Sequence, residues 1–261
     1  MELRYAAGSD AGIRAVNQDS VYATPHLLAV ADGMGGHAHG EVASAVVIGV
    51  VSEIRVAHDP LATLAGVVAE ALRRLTDLAA RDDELTGMGS TLTALLWTGS
   101  GFGLAHVGDS RGYLLRDDTL RQLTRDHTLV QSLVDDGQIT TAEAESHPRR
   151  SMLMRAIQTG GTATPDLSMV DAMVGDRYLL CSDGVTCVVG PEGVHSAMTT
   201  HAEPKAVVTH LIEEAKRLGS PDNISCVVAD VIESPNRWAR ISHAVSRRAP
   251  VPPGPRRTPA S

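Results

Sequence analysis

Aromatic residues are scarce in this chain, and long apolar runs are absent. Of its 261 residues only one Phe, two Trp and four Tyr are aromatic, so a buried core must be built mainly from aliphatic side chains. The longest apolar run, 42–51, is interrupted by Ser44. It is far shorter than the ~18–20 residues that cross a bilayer. The sequence therefore predicts no membrane-spanning helix.

Cysteines are also few. The three thiols, Cys181, Cys187 and Cys226, are odd in number and form no CxxC pair, which argues against a disulfide framework or a cysteine metal site. The first residues lack the basic-then-apolar layout of a secretion signal. We therefore expect a cytoplasmic protein in which all three cysteines are core thiols.

Negative charge is unevenly distributed. The chain carries −8 overall, but residues 234–261 hold six arginines and no acid, so residues 1–233 carry −14. Such a body should repel nucleic acid. We expect one domain at 1–233, followed by a disordered tail rich in Pro and Arg. A basic docking or membrane-surface role for that tail is the less favoured alternative.

Apolar runs and alternation predict a β-rich body with three long helices. The predicted strands are 26–31, 91–97, 102–107, 111–116, 177–182 and 224–231. The predicted helices are 41–56, 61–79 and 204–218. Short links between strands favour antiparallel hairpins. Residues 124–160, which contain one short predicted helix at 129–136, are interpreted as a surface flap. The fold class is α+β, with helices covering the outer faces of packed antiparallel sheets.

Five aspartates stand where an apolar run meets a loop. They are Asp19, Asp32, Asp109, Asp183 and Asp222. A single Asp-Gly pair is usually a turn, but several acidic turns beside strands suit a hard divalent cation. A phosphate-binding loop at DGMGG lacks the GK[ST] ending, and no paired-His or thiolate spacing supports zinc. The sequence therefore predicts a metal site assembled from distant segments.

Six ordered segments resemble a known family. They are GIRAVNQDSVY, VADGMGGHAHGE, GMGSTLTALL, AHVGDSRGYLLRDDTLRQLTRDHTLVQSLVDDGQI, DRYLLCSDGV and GSPDNISCVVADV. Together they are similar to the bacterial branch of the type 2C metal-dependent serine/threonine protein phosphatases. The resemblance implies a four-layer α-β-β-α sandwich, in which helix pairs flank two central antiparallel sheets. It also implies a centre of two Mn²⁺ or Mg²⁺ ions.

The same resemblance assigns roles by position. Asp32 is implied as the carboxylate shared by both metals and Gly33 as a carbonyl ligand, while Asp183 and Asp222 bind the second metal. Asp109 is implied to help Asp183 hold a third, weaker ion. The remaining implied roles are water orientation by Asp19, phosphate binding by Arg14 and support of the site by Asn223.

The implied reaction is hydrolysis of phosphoserine and phosphothreonine on proteins by a water that bridges the two metals. We expect phosphorylated protein substrates, including Ser/Thr kinases, and a monomer that binds no nucleic acid. A dedicated regulatory phosphatase, a silent phosphoprotein-binding relative and a two-metal nuclease are the alternatives. A silent relative should have lost a ligand, whereas Arg14, Asp32, Asp183 and Asp222 are all present.

Other polar residues near these motifs receive ordinary structural interpretations. Ser110 is expected to close a turn, Arg111 to pair or extend at a sheet edge, and His127 to lie on the flap surface. Arg149 and Arg150 are interpreted as a solvated pair, with contact to phosphorylated substrates as the alternative.

Met34 departs from the eukaryotic DGHGG pattern, in which a histidine can protonate the leaving oxygen. The proton must then come from metal-bound water or from another residue. His37 and His39 are the candidate residues, although each is more simply explained as a residue at a helix start. Replacing Met34 by His is expected to change turnover of phosphoserine more than turnover of aryl phosphates, because aryl oxides leave without protonation. Steady-state rates on both substrate classes test this, and equal effects would contradict it.

Overall fold

Two antiparallel sheets form the centre of the molecule. The computed structural model describes residues 1–35, 39–55 and 59–234. The first sheet has the strand order β1-β12-β11-β7-β8. Its strands are β1 (Glu2–Asp10), β7 (Arg111–Arg116), β8 (Thr119–Gln122), β11 (Arg177–Cys181) and β12 (Ile224–Ile232).

The second sheet has the order β10-β6-β5-β3-β4-β9, and β2 also pairs with β3. Its strands are β2 (Asp19–Thr24), β3 (Leu27–Met34), β4 (Gly89–Ser90), β5 (Leu92–Trp97), β6 (Gly101–Val107), β9 (Ile157–Gln158) and β10 (Asp166–Asp171).

Central strands are apolar on both faces because each sheet is covered on both sides. In β3, Leu27, Ala29 and Ala31 face the helices, whereas Leu28 and Val30 face the other sheet. Strand β12 follows the same rule, since alternate residues contribute to the helix-covered core and to the core between the sheets. Alternation along the strand therefore fixes three apolar layers.

Aromatic side chains are concentrated between the sheets. Phe102 of β6 is fully buried and packs edge-on against Tyr178 of β11, with ring centroids 4.7 Å apart. Trp97 lies on its other side at 4.8 Å. These three rings join the two sheets across their shared interior.

Helices form the two outer layers. Those on the second sheet are α1 (Gly40–Ser52) and α2 (Pro60–Ala79), and those on the first sheet are α5 (Asp183–Thr186), α6 (Pro191–Thr200) and α7 (Pro204–Arg217). Helix α2 begins cleanly because the Asp59 side chain accepts the N–H groups of Leu61 and Ala62 and proline occupies the first turn. The predicted four-layer α-β-β-α sandwich is confirmed.

The predicted strands and long helices are confirmed, with differences at their ends and several omissions. Helix α1 ends at Ser52 rather than at 56, since the Glu53 N–H bonds back to the Val50 carbonyl in a tightened last turn. Position 56 and the basic tail from 235 onward lie outside the described residues. The strands β1, β2, β4, β8, β9 and β10 and the helices α5 and α6 are not among the elements predicted from the sequence.

The predicted flap contains two short helices, α3 (Leu129–Asp135) and α4 (Thr141–Glu145), and is mostly exposed. Among the helices of the described ranges, none combines the length and apolarity needed to cross a membrane.

Replacing Phe102 by Ala should lower the free energy of unfolding by about 3–5 kcal/mol, because the substitution opens a cavity between the sheets. Met169 of β10 is 53% exposed, so Met169→Ala serves as the control and should change stability by no more than about 0.5 kcal/mol. Urea denaturation measures both. A loss below 1 kcal/mol for Phe102→Ala would mean that the inter-sheet core can collapse around the gap.

Candidate active site

The five aspartates come together at one end of the two sheets. Asp19 is the first residue of β2, Asp32 lies near the end of β3, and Asp183 begins α5 directly after β11. Asp222 precedes β12, and Asp109 lies in the loop between β6 and β7. Antiparallel pairing brings these strand starts and strand ends to the same edge. The structure thus places together residues that are up to two hundred positions apart in the chain.

Asp19 and Asp32 are directly opposite each other on paired strands. One Asp19 oxygen accepts a hydrogen bond from Ser182 Oγ at 2.7 Å, while its Oδ1 is buried without a partner among the described residues. The backbone of Asp32 is fixed by Thr91, whose Oγ1 accepts the Asp32 N–H at 3.0 Å. Asp32 is therefore held at the strand end with its carboxylate available.

Asp183 lies close enough to Asp32 for its negative charge to raise the pKa of the Asp32 carboxyl. Asp183 Oδ1 is also buried with no partner in the described part of the chain. Buried polar atoms are nearly always satisfied, so two unpaired carboxylate oxygens, on Asp19 and Asp183, need an explanation. An electropositive ligand between these carboxylates would satisfy both.

Burial raises the pKa of four of these carboxyls, and repulsion by neighbouring carboxylates adds to the shift. Asp32 and Asp183 retain some contact with solvent, but protein atoms surround them closely and desolvation is the largest cause of their raised pKa. The pKa of Asp19 rises to about 6 and that of Asp109 to about 8. Cations between the carboxylates would reverse this trend by favouring the ionised forms.

Close backbone contacts leave no room for side chains beside two of the aspartates. A Cβ on Gly33 would lie 2.0 Å from the Gly40 carbonyl oxygen, and a Cβ on Gly184 would lie 1.8 Å from the Asn223 carbonyl oxygen. These contacts bring the start of α1 against β3 and the start of α5 against β12. Glycine is required at both positions by packing.

Arg14 lies at the rim of the acid cluster, on the loop between β1 and β2. Its Nη2 donates to Asp222 Oδ2 at 2.8 Å and its Nε to the Pro221 carbonyl at 2.8 Å. The side chain is 51% exposed. A guanidinium has five N–H groups, so three remain available to an anion.

Asn223 connects the Arg14 loop to β12. Its Nδ2 donates to the carbonyls of Ala11 and Val16 at 3.0 Å each, and its Oδ1 accepts the Gln18 N–H at 2.8 Å. The predicted supporting position of Asn223 is therefore explained by its contacts with the loop.

Ser110 lies in the short connection between β6 and β7, where it is fully buried and bonds to Thr93. Two other structural interpretations from the sequence need correction. His127 is buried rather than on the surface, because its two ring nitrogens are used inside the protein. Arg111 pairs with Asp126 through two nitrogens, but β7 is an interior strand, so this pair is not at a sheet edge.

The expectation of three core thiols is wrong for Cys187. Cys181 and Cys226 are buried, whereas Cys187 is exposed, because it follows the short helix α5 at the rim of the site and packs only on one side. Burial raises the pKa of the Cys181 thiol to about 12.

The histidines and the flap arginines agree with the ordinary interpretations where they are described. His39 immediately precedes α1 and its Nδ1 lies 2.9 Å from Glu41 Oε1. His37 lies outside the described residues. Arg149 and Arg150 are exposed, and Met34 pairs with Gly89 between β3 and β4.

Three polar residues that support the aspartates were missed by sequence reasoning. Ser182 donates to Asp19, Thr91 holds the Asp32 backbone, and Ser90 Oγ donates to the Asp32 carbonyl at 3.0 Å. Of these three residues, only Ser182 could have been found from the sequence, because it directly precedes Asp183 in the CSDG motif.

Two clefts of about 610 and 650 Å³ lie away from the acid cluster. The first contains Arg177 and Asp230, near the far end of β12. Arg177 bonds both Asp230 oxygens at 2.6 and 2.9 Å and also the carbonyls of Met198 and His201. The charges of Arg177 and Asp230 are therefore paired within the protein. The bonds from Arg177 to the two carbonyls hold the C-terminal end of α6 in place.

The donor set suits hard divalent cations. Carboxylates and backbone carbonyls are the ligands that Mg²⁺, Mn²⁺ and Ca²⁺ prefer, and the two unpaired oxygens lie within the acid cluster. Across residues 1–35, 39–55 and 59–234, no three acidic, imidazole or thiol side chains are already arranged around one point.

Comparison with known proteins agrees with this arrangement. The sequence profile of the protein phosphatase 2C family matches residues 14–220. This chain belongs to the protein phosphatase 2C family. The matched range includes Arg14, Asp19, Asp32, Asp109 and Asp183, and it ends two residues before Asp222.

Curated members of the protein phosphatase 2C family are similar over most of this chain. The serine/threonine protein phosphatase PstP of Mycobacterium tuberculosis is 51% identical over 235 residues, which are 88% of this chain and 45% of PstP. The chain thus spans about half the length of that relative. The serine/threonine phosphatase Stp of Listeria welshimeri is 35% identical over 78% of this chain and 84% of its own length.

A solved structure from the same family shows both the fold and metal ions. The catalytic domain of PstP in complex with two manganese ions is 48% identical, with a TM-score of 0.83 over 89% of this chain and 99% of that chain. The predicted fold is therefore confirmed by a structural relative.

Gly184→Ala should lower the free energy of unfolding by about 1–3 kcal/mol, because the added methyl group overlaps the Asn223 carbonyl and must displace α5 or β12. Gly66 provides the matched control, since it lies inside α2 with open space around its Cα. Gly66→Ala should stabilise by about 0.5–1 kcal/mol. Thermal and denaturant unfolding measure both, and an unchanged Gly184→Ala protein would contradict the packing argument.

Proposed function

We propose that this chain hydrolyses phosphoserine and phosphothreonine monoesters on proteins with the help of Mn²⁺ or Mg²⁺. The observation that carries the proposal is the convergence of Asp19, Asp32, Asp109, Asp183 and Asp222 at one sheet end, with two carboxylate oxygens left without partners. Family membership supports the same reaction class.

Each acidic residue has a proposed part in holding the ions. Asp32, the Gly33 carbonyl, Asp183 and Asp222 hold two divalent cations, and Asp109 with Asp183 holds a third, weaker one. Bound ions of this kind supply an acidified water as nucleophile and charge stabilisation for the phosphoryl group. Asp19, oriented by Ser182, accepts hydrogen bonds from water in the site.

Arg14 binds the substrate phosphate. Its position at the rim, its contacts with Asp222 and Pro221 and its three free N–H groups suit a phosphate dianion. The charge is needed because residues 1–233 carry −14 and would otherwise repel a phosphorylated substrate. Asn223 keeps Arg14 in place through the loop that it anchors.

Residue 34 has no side-chain donor that could protonate the leaving serine oxygen. Met34 cannot give up a proton, and His39 is paired with Glu41. The pair raises the pKa of His39 through the hydrogen bond with Glu41. We assign the leaving-group proton to water in the site, which makes aryl phosphates the faster substrates.

The proposed substrates are phosphorylated proteins, among them Ser/Thr kinases, and the proposed functional unit is a cytoplasmic monomer with residues 1–233 as its catalytic domain. The exposed Arg149 and Arg150 on the flap are a solvated pair in this proposal, and contact with acidic or phosphorylated segments of substrates is the alternative role.

Asp183→Asn should reduce kcat/KM for a phosphothreonine peptide by on the order of 100-fold or more, because even residues that only orient metal ligands contribute about 10–100-fold. Hydrolysis should require added Mn²⁺ or Mg²⁺ and stop with a chelator. Phosphate release from peptides, with and without Mn²⁺, measures both effects.

Asp77→Asn is the matched control, since Asp77 is an exposed carboxylate on α2 that pairs only with Arg73. It should leave kcat/KM unchanged within about twofold, consistent with the small effect of surface ion pairs. Turnover that persists without a divalent cation, or an unaffected Asp183→Asn protein, would rule out the proposed reaction.

A further inference from the structure

His127 lies beside the loop that carries Asp109, although the proposed reaction does not use it. The Gly108 N–H donates to His127 Nδ1 at 3.1 Å, and the His127 N–H donates to the Gly108 carbonyl at 2.7 Å. One residue thus holds both polar groups of Gly108, directly before Asp109. Within the described residues His127 is only 5% exposed.

The other side of the His127 ring is fixed by two further residues. Because Nδ1 accepts a hydrogen bond, the proton must lie on Nε2, which donates to Asp166 Oδ2 at 3.0 Å. The second Asp166 oxygen accepts from Arg155 Nη1 at 2.7 Å. This arrangement selects one tautomer and one ring orientation.

Gly108 needs such support because its backbone is unusual. Its φ is +110°, and a Cβ at this position would lie 2.5 Å from Thr91 Cγ2. Thr91 in turn holds the Asp32 backbone. Gly108 thus lies between Thr91 and Asp109, so a rotation of its backbone would change the direction of the Asp109 side chain.

We propose that His127 is a positioning residue that locks the Gly108 peptide and so directs the Asp109 carboxylate toward Asp183 and the weaker cation site. The proposal rests on the proposed function, because it assumes that Asp109 is a metal ligand.

His106 is a second buried histidine, and its contacts differ from those of His127 in a way that core packing alone does not explain. His106 is also buried, and its ring lies 4.7 Å from that of His127. Its nitrogens bond to Thr93 Oγ1 and the Arg125 carbonyl, neither of which belongs to residue 108 or 109. Of these two buried rings, only that of His127 bonds to Gly108, the residue before Asp109.

Two substitutions separate the roles of the two nitrogens. Asparagine can place an oxygen near the position of Nδ1, so His127→Asn retains an acceptor for the Gly108 N–H. Glutamine can place a donor near the position of Nε2, so His127→Gln retains the contact with Asp166 but leaves the Gly108 N–H without its acceptor. Both variants replace a buried ring by a polar side chain. A purely structural role for His127 therefore predicts that the two variants lower Mn²⁺ affinity and Gly108 protection to a similar extent.

The test uses the full chain and two measurements. Titration calorimetry with Mn²⁺ alone measures ion binding, and amide hydrogen exchange measures the protection of the Gly108 N–H. His127→Gln should weaken the weakest Mn²⁺ site by about 10-fold or more and accelerate Gly108 exchange by about 10-fold. His127→Asn should stay within about threefold of the original protein in both measurements. The tighter Mn²⁺ sites should be unchanged in each variant.

Asp166→Ala provides a second route, since this side chain is 53% exposed and its removal should permit folding even if His127→Gln does not fold. It frees the ring to turn, so Gly108 exchange should again rise. Equal effects of His127→Asn and His127→Gln, unchanged exchange in Asp166→Ala, or binding of only two ions by the original protein would overturn the inference. Neither Mn²⁺ binding nor hydrogen exchange depends on turnover. An inactive chain would therefore refute the proposed function, whereas the Mn²⁺ affinities and the Gly108 exchange rate would still decide the proposed role of His127.

Discussion

Repulsion between carboxylates brought out of water is the constraint on which this structure depends. Asp19, Asp32, Asp109 and Asp183 are each pushed toward the protonated form, with burial as the largest cause. An arrangement of this kind costs stability unless positive charge is supplied. The surrounding fold can sustain that cost because its three apolar layers are extensive and lie away from the acid cluster.

The two sheets keep the acidic residues in place through backbone contacts rather than through flexible side chains. The Gly33 N–H donates to the Gln18 carbonyl at 3.0 Å, and Ser220 Oγ donates to the Gly184 carbonyl at 2.7 Å. A short serine side chain loses less conformational entropy when it is fixed than a long, flexible side chain does. Precision at the site therefore comes from the rigid ends of the strands, and Arg14 is a long, half-exposed side chain at its rim.

Strong local patterns allowed much of this architecture to be predicted from sequence. Strands such as β3 and β12 are apolar on both faces, and several of the aspartates lie directly at the end or the start of such a run. Strand β10 was missed because most of its side chains are exposed, and β1 because polar residues interrupt its pattern. The burial of His127 was missed for another reason: its partners Gly108 and Asp166 are set by tertiary structure, which leaves no periodic signal in the sequence.

The pairing of β1 with β12 has a consequence for how the molecule is made. All nine residues of β1 lie in register against β12, so the first strand has its only sheet neighbour more than two hundred positions later. Contacts this distant slow folding because a long loop must close before they form. On the ribosome, the first sheet would remain incomplete until the last strand emerged, and nascent chains would carry an unpaired edge that chaperones can recognise.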